Sequence, residues 1–270
     1  MGRIEQTFLK LKQQRETALI PFVTAGDPDA AKTAAILETL DRAGADLIEL
    51  GMPFSDPMAD GPTIQAASER ALAGGMTLAK VLDLVAAFRR SSQTPIVLMG
   101  YYNPVFRFGL EAFARRAAQA GVDALLLVDV PPEERAELYE YFDAQELDLI
   151  TLLAPTTPAE RAAELLRQAR GFVYYVSMTG VTGTTQVDTT AIADQVRQLR
   201  IQSPVPVAVG FGIATAEDAE KIAAMADAVV VGSALVKIIA QHAESAALLD
   251  EVYAFVHDLK QGVRRAQPDK

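Results

Sequence analysis

Residues 46–61 read DLIELGMPFSDPMADG. The stretch opens as a short apolar run, Leu47, Ile48 and Leu50, with a glutamate, Glu49, in its middle. An unbroken apolar run of this length is the pattern of a strand buried on both faces, as in a parallel sheet. A carboxylate inside such a strand points into the interior or its mouth. Burial there raises its pKa into the range of a proton shuttle working near neutrality. A salt bridge is the alternative role, but no arginine stands at the end of an apolar run to supply one. Glycine and proline then break the strand into an acid-rich loop with Asp56 and Asp60. Asp60 closes that loop, where the chain turns back toward a helix, and can meet Glu49 across a ligand. Asp46 reads as the end of the preceding turn, and Asp56 as a turn former or a contact to a partner.

Outward from this segment, seven more apolar runs recur: ALIPFVT (18–24), PIVLMG (95–100), ALLLVDV (124–130), LDLITLLA (147–154), FVYYVS (172–177), VPVAVG (205–210) and DAVVVG (227–232). Between them lie Ala-rich segments with apolar residues at helical spacing, such as 29–44, 110–121, 132–145 and 159–170. The long gap between the second and third runs holds two more, 62–73 and 77–91. Asp29, the pair Thr157-Pro158, and Thr215 with Asp218 read as helix starts. Gly44, Gly121 and Gly171 read as helix ends. Eight alternations of strand and helix predict a parallel sheet closed as an α/β (β/α)8 TIM barrel, with an open doubly wound sheet as the alternative. The opening MGRIEQTFLKLKQQRE predicts an extra amphipathic N-terminal helix, and SALVKI a short extra helix after strand eight. No linker or composition shift interrupts the chain, so residues 1–270 read as one barrel domain.

Half of the 270 residues are hydrophobic, enough for a sizeable core. There is no cysteine and the formal net charge is −10. The first excludes disulfides and thiolate chemistry, and fits a cytoplasmic setting. The second disfavours nucleic acid as a partner, since a phosphate backbone needs clustered lysine and arginine. An anionic small molecule stays possible, because backbone N–H groups make a local positive field. The opening residues lack the apolar core of a signal peptide, and no apolar run approaches the ~18 residues of a membrane span.

In such a barrel the reacting groups stand at the C-terminal strand ends. The two histidines, His242 and His257, lie in the C-terminal helical region, and no lysine stands at a strand end. His-based proton shuttles, His-ligated metals and Schiff bases therefore lack material here. Carboxylates, tyrosines, hydroxyls and glycines remain. Gly210, Gly212, Gly232 and Ser233 follow strands seven and eight, where phosphate sites form in these barrels. Ser233 reads as the cap of SALVKI, whose N–H groups would face the anion. SMTGVTGTT (177–185), with Gly180, Thr182, Gly183, Thr184 and Thr185, reads as a lid after strand six. Asp129 reads as a turn or cap residue.

At this point IELGMPFSDPMADGPTIQ closely resembles the signature of the tryptophan synthase alpha subunit family. FVTAGDP, MGYYNPVFRFG, VDVPPEE, LLAPTTP, SMTGVTG, VGFGI and VVVGSALV follow in that family's order and spacing, so the resemblance spans almost the whole chain. It implies a lyase that cleaves indole-3-glycerol phosphate to indole and glyceraldehyde 3-phosphate by a reverse aldol. By resemblance Glu49 is the proton shuttle and Asp60 the second catalytic acid. Tyr174 lines the same pocket. Gly183, Phe211, Gly212, Gly232 and Ser233 match positions that bind the phosphate or shape its cradle, Phe22 and Met99 fall where apolar residues line the indole slot, and Thr182 of the loop after strand six is counted with the substrate-binding residues. No cofactor is implied for this chain; pyridoxal phosphate belongs to a partner beta subunit, in an α2β2 assembly. The expected docking face carries loops 53–61, 101–109 and 178–187. Three departures stand out: Met178 in the lid, Phe172 in place of a tyrosine that would add a pocket hydroxyl, and Tyr102 with Pro104 on the partner-facing loop. A phosphosugar isomerase or indole-3-glycerol-phosphate synthase would need histidine or lysine at the mouth. A catalytically idle binding subunit would not need both acids.

Overall fold

Among the described residues the apolar runs become nine parallel strands: β1 (Ala18–Thr24), β2 (Ile48–Gly51), β3 (Ile96–Gly100), β4 (Ala124–Leu127), β5 (Asp148–Leu149), β6 (Thr151–Leu153), β7 (Val173–Val176), β8 (Val207–Gly210) and β9 (Ala228–Val231). The computed structural model describes residues 1–176, 189–210 and 212–266. The strand order is β5-β4-β3-β2-β1-β9-β8-β7-β6. Both ends of that ladder belong to one run of chain. β5 pairs with β4, β6 pairs with β7, and only Ile150 separates them. Its N–H donates to Leu125 O at 2.8 Å. The fifth predicted strand thus changes partner at Ile150, and the sheet closes as a (β/α)8 barrel.

Twelve helices are described: α1 (Arg3–Gln14), α2 (Ala30–Ala43), α3 (Pro62–Ala73), α4 (Leu78–Phe88), α5 (Tyr102–Phe108), α6 (Leu110–Ala120), α7 (Ala136–Asp143), α8 (Ala159–Arg167), α9 (Thr189–Gln202), α10 (Ala216–Met225), α11 (Ser233–Gln241) and α12 (Leu248–Arg265). The expected starts at α2 and α10 hold. Asp29 accepts from Lys32 N at 2.7 Å, and Thr215 with Asp218 forms a reciprocal capping box. At α8 the cap is Pro158, and the Thr157 hydroxyl instead accepts from Ala154 N to close a turn. Gly44 and Gly121 end α2 and α6 with φ of 102° and 87°. Gly171 is also left-handed, but lies in the link to β7 rather than at the end of α8.

Alternation along each strand splits the core in two. Leu19, Leu50, Leu98, Leu125 and Val209 face outward into the helical layer. Ile20, Leu47, Val97, Leu126, Phe172 and Val230 fill the barrel. Below them α1 inserts Ile4, Phe8 and Leu11, one face of a helix spaced i, i+4, i+7. Each such side chain contributes roughly 1.5–3 kcal/mol on burial. Phe8 and Phe172 meet at 6.1 Å between ring centroids. This corrects one expectation: Phe172 belongs to the plugged bottom of the barrel, so its missing hydroxyl is not missing from the mouth.

Candidate active site

Pleat and register decide which side chains reach the mouth. Phe22 on β1 stands in register with Glu49 on β2, and Gly51 pairs with both Thr24 and Met99. Phe22 and Glu49 therefore stand at one level near the C-terminal rim, with Thr24, Gly51 and Met99 one level higher. Gly51 is needed there. A Cβ at that position would lie 2.7 Å from Phe22 Cζ, so only glycine leaves room for the ring. Tyr174 on β7 enters from the far side, and Gly210 accommodates it, since a Cβ there would stand 2.4 Å from the Tyr174 hydroxyl.

Glu49 is 2% exposed, and its Oε1 has no hydrogen-bond partner among the described residues. Loss of hydration, and next the charge of Asp60, push its pKa up to about 8. A carboxyl in this state is protonated at neutrality and can both give and retake a proton. The Tyr174 hydroxyl is held well above its ordinary pKa by burial and by the Glu49 charge. Asp60 is half-buried and its pKa is also raised by burial, with a hydrogen bond from Tyr101 acting the opposite way. The loop that carries it is tied down locally. Asp60 N donates to Pro57 O at 3.0 Å, and Gln65 Nε2 donates to Asp60 O at 2.8 Å.

A small cavity lies over the strand ends. Its apolar lining includes Phe22, Ile64 and Met99, and its polar lining Thr24, Asp60, Ser68 and Tyr101. Its free space is about 10 Å³, room for a single water, and it brings apolar side chains and the Asp60 carboxyl together, while Glu49 is not part of its lining. Across the mouth, Gly212 has φ of 43°, a left-handed backbone that suits glycine. Gly232 is the N-cap of α11 and Ser233 its first helical residue, so Ser233 does not cap the helix as its sequence suggests. The first intrahelical bond runs from Val236 N to Gly232 O, which leaves the preceding N–H groups of α11 directed at the mouth. Such a terminus holds an anion. Phe22 is thus in register with Glu49, Phe22 and Met99 share a cavity with Asp60, and Gly232 lies against Phe22, a Cβ there standing 3.6 Å from the Phe22 Cβ; Gly212 and Ser233 follow β8 and β9 at the same end of the barrel. Thr182, Gly183 and Phe211 lie outside the described residues, as does the expected lid with Met178, Gly180, Thr184 and Thr185.

The other acids sort as structural. Asp56 accepts from Ser55 Oγ at 2.5 Å in its own turn. Asp129 Oδ1 accepts from Tyr102 N at 2.8 Å. Asp46 is at the opposite end of the barrel, bound to Leu19 N and to Lys260 Nζ at 2.7 Å each. His257 stacks on Tyr253 along α12. Among the described residues no group of three or more His, Cys, Asp or Glu is placed to hold a metal. Two rim residues escape a sequence reading. Thr24 is buried with Oγ1 unpartnered among the described residues, and Tyr101 contacts the acidic loop. The one signal for Thr24 is its position two residues beyond Phe22, on the same face of the strand.

The family model described as "Tryptophan synthase alpha chain" matches residues 8–264. The tryptophan synthase alpha chain of Citrifermentans bemidjiense is 56% identical, over 97% of this chain and 98% of that protein. The crystal structure of tryptophan synthase subunit alpha from Legionella pneumophila superposes with a TM-score of 0.92 at 40% identity, covering 98% of this chain and 99% of that one. A tryptophan synthase structure from M. tuberculosis matches at 0.88 and 35% identity, covering 97% and 99%.

Proposed function

The chain belongs to the tryptophan synthase alpha chain family, carbon–carbon lyases that split indole-3-glycerol phosphate, and from that premise we propose that Glu49 and Asp60 carry the reaction. The protein cleaves indole-3-glycerol phosphate into indole and glyceraldehyde 3-phosphate. Indole lies between Phe22 and Met99, with Tyr174 at the inner wall. The phosphate is held at Gly212, Gly232 and Ser233, with Thr182, Gly183 and Phe211 completing the cradle. Glu49, protonated at neutrality, gives its proton to C3 of the ring and forms an indoleninium. The Asp60 carboxylate stabilises the positive charge spread to the ring N–H. The Glu49 carboxylate then takes the proton of the side-chain hydroxyl next to C3. The carbon–carbon bond breaks, its electron pair returns to the ring as indole, and the hydroxyl carbon becomes the aldehyde. Glu49 ends as it began, protonated. No cofactor enters this cycle.

The observation that carries this reading is a fully buried carboxyl without a partner among the described residues, held near pKa 8 beside a second acid. Glu49→Gln tests it. Lyase turnover is expected to vanish while glycerol phosphate still binds; turnover near wild type would remove the shuttle from Glu49.

The working assembly is proposed to be α2β2, in which a beta subunit carries pyridoxal phosphate and receives indole. Matches of this fold include an aminoacrylate-bound tryptophan synthase from M. tuberculosis. Two apolar side chains stand exposed in the segments expected to dock: Met58, 85% exposed, and Phe106, 57%. The second of these segments is the short helix α5 rather than the expected loop.

A further inference from the structure

Tyr101 follows β3 as the N-cap residue of α5, and its side chain braces the acidic loop after β2. The residue is 3% exposed, and its ring packs at 5.3 Å from that of Phe54, at the near end of the loop. Its hydroxyl oxygen accepts from Ala59 N at 3.0 Å, at the far end. Its backbone is pinned as well, because the next residue, Tyr102, donates its N–H to Asp129 at 2.8 Å. A phenol has one proton to give after accepting one bond. With Ala59 N–H filling a lone pair, that proton is left for the cavity that Tyr101 and Asp60 line together, and Tyr101 opposes the upward push of burial on the Asp60 carboxyl.

We propose that Tyr101 is a positioning residue for the lyase, a strut from the residue that follows β3 which holds the Asp60 loop, and with it the Asp60 carboxyl, in place at the cavity that both residues line. The inference rests on the assignment of Asp60 as the second catalytic acid. Burial works against an ionised Asp60, and the Tyr101 bond opposes burial. Tyr101 in turn is raised by burial and then by the Asp60 charge, with Asp129 as the other charged group facing it, so it remains a donor throughout the working pH range. Glu49 is the other titratable group that feels Asp60. Losing the hydroxyl therefore has a signature that loss of packing alone lacks: Asp60 protonates at higher pH, and with it the charge that holds Glu49 up is lost.

The test is Tyr101→Phe, which keeps the ring and its contact with Phe54. Lyase kcat is expected to fall roughly ten- to a hundredfold, the weight of one charge-assisted hydrogen bond, with a smaller change in KM. The acid limb of the pH–rate profile is expected to move upward. Carbon-13 carboxyl NMR reads Asp60 directly and should show its titration moved to higher pH, whatever activity remains. An Asp60 titration and acid limb identical to wild type would overturn the proposal. So would a Tyr101→Phe loss that simply multiplies with that of Asp60→Asn in the double variant. If Asp60→Asn alone were fully active, the assignment of Asp60 itself would fall, a different result from an unchanged Tyr101→Phe enzyme.

Discussion

Glu49 is where function and folding oppose each other. Its carboxyl moves from an ordinary pKa of 4.5 to about 8 on folding. A raised acid binds its proton more tightly in the folded state. It carries no penalty below the unfolded pKa of 4.5, loses stability as pH rises from there to about 8, and holds a constant penalty above. The full shift corresponds to about 5 kcal/mol. Glu49→Gln removes the titration, so the variant should match wild type in melting temperature near pH 4 and exceed it increasingly toward pH 8. Thermal melts across that range check this, and a constant offset would refute it. The same group sets the alkaline limb of catalysis. The first step needs protonated Glu49, so kcat/KM should decline above about pH 8. The Asp60 charge contributes to the shift, so the limb should move to lower pH in the residual activity of Asp60→Asn.

At the scale of elements, α11 separates binding from stability. A negative charge at a helix N-terminus stabilises the helix by ~0.3–1 kcal/mol, but like charges a few ångström apart repel. Ser233→Asp should therefore keep or slightly raise the melting temperature while weakening substrate affinity by at least about tenfold. An unchanged KM would remove the phosphate from this helix. Which elements were legible follows from how their signals arise. Seven of the eight strands read directly, because parallel strands buried on both faces leave unbroken apolar runs. The split of the fifth at Ile150 is invisible, since a change of neighbour leaves no mark on one strand's own residues. Helix α5 hid behind Pro104, which sits in the first turn, where no N–H is required. Glu49 was legible because a carboxylate in an apolar run is an anomaly with few explanations, and Asp60 because it closes the acid-rich loop that follows the same strand. Thr24 and Tyr101 were not, because a hydroxyl at a strand end acquires its meaning only from the pleat and from the loop folded over it.

Across the whole molecule the two ends of the barrel are built on opposite rules. At the C-terminal mouth, Glu49 Oε1 and Thr24 Oγ1 are buried and unpartnered among the described residues, poised for a ligand rather than for the fold. At the N-terminal end one arrangement repeats, in which an aspartate binds the N–H at the start of a neighbouring strand and is neutralised by a cation. Asp46 binds Leu19 N and Lys260; Asp123 binds Ile96 N, Arg3 and Arg89; Asp227 binds Val207 N and Arg200. Asp123 is the most enclosed of the three, its side chain 5% exposed, and its removal leaves the Ile96 N–H without its acceptor and takes the paired carboxylate from the shielded Arg89, which keeps its bonds to the Gly121, Ser92 and Thr94 carbonyls. Breaking such a pair from one side costs about 3 kcal/mol, or roughly 6 °C in melting temperature for a chain of this size. No step of the reaction reaches this end. Asp123→Ala should thus melt about 6 °C lower and keep wild-type kcat where it is folded, whereas Glu49→Gln melts higher at pH 8 and has none. Measuring both quantities on both variants separates the ends. A large kcat loss in folded Asp123→Ala would mean that the two ends are coupled through the strands, and that the sealed end takes part in aligning the open one.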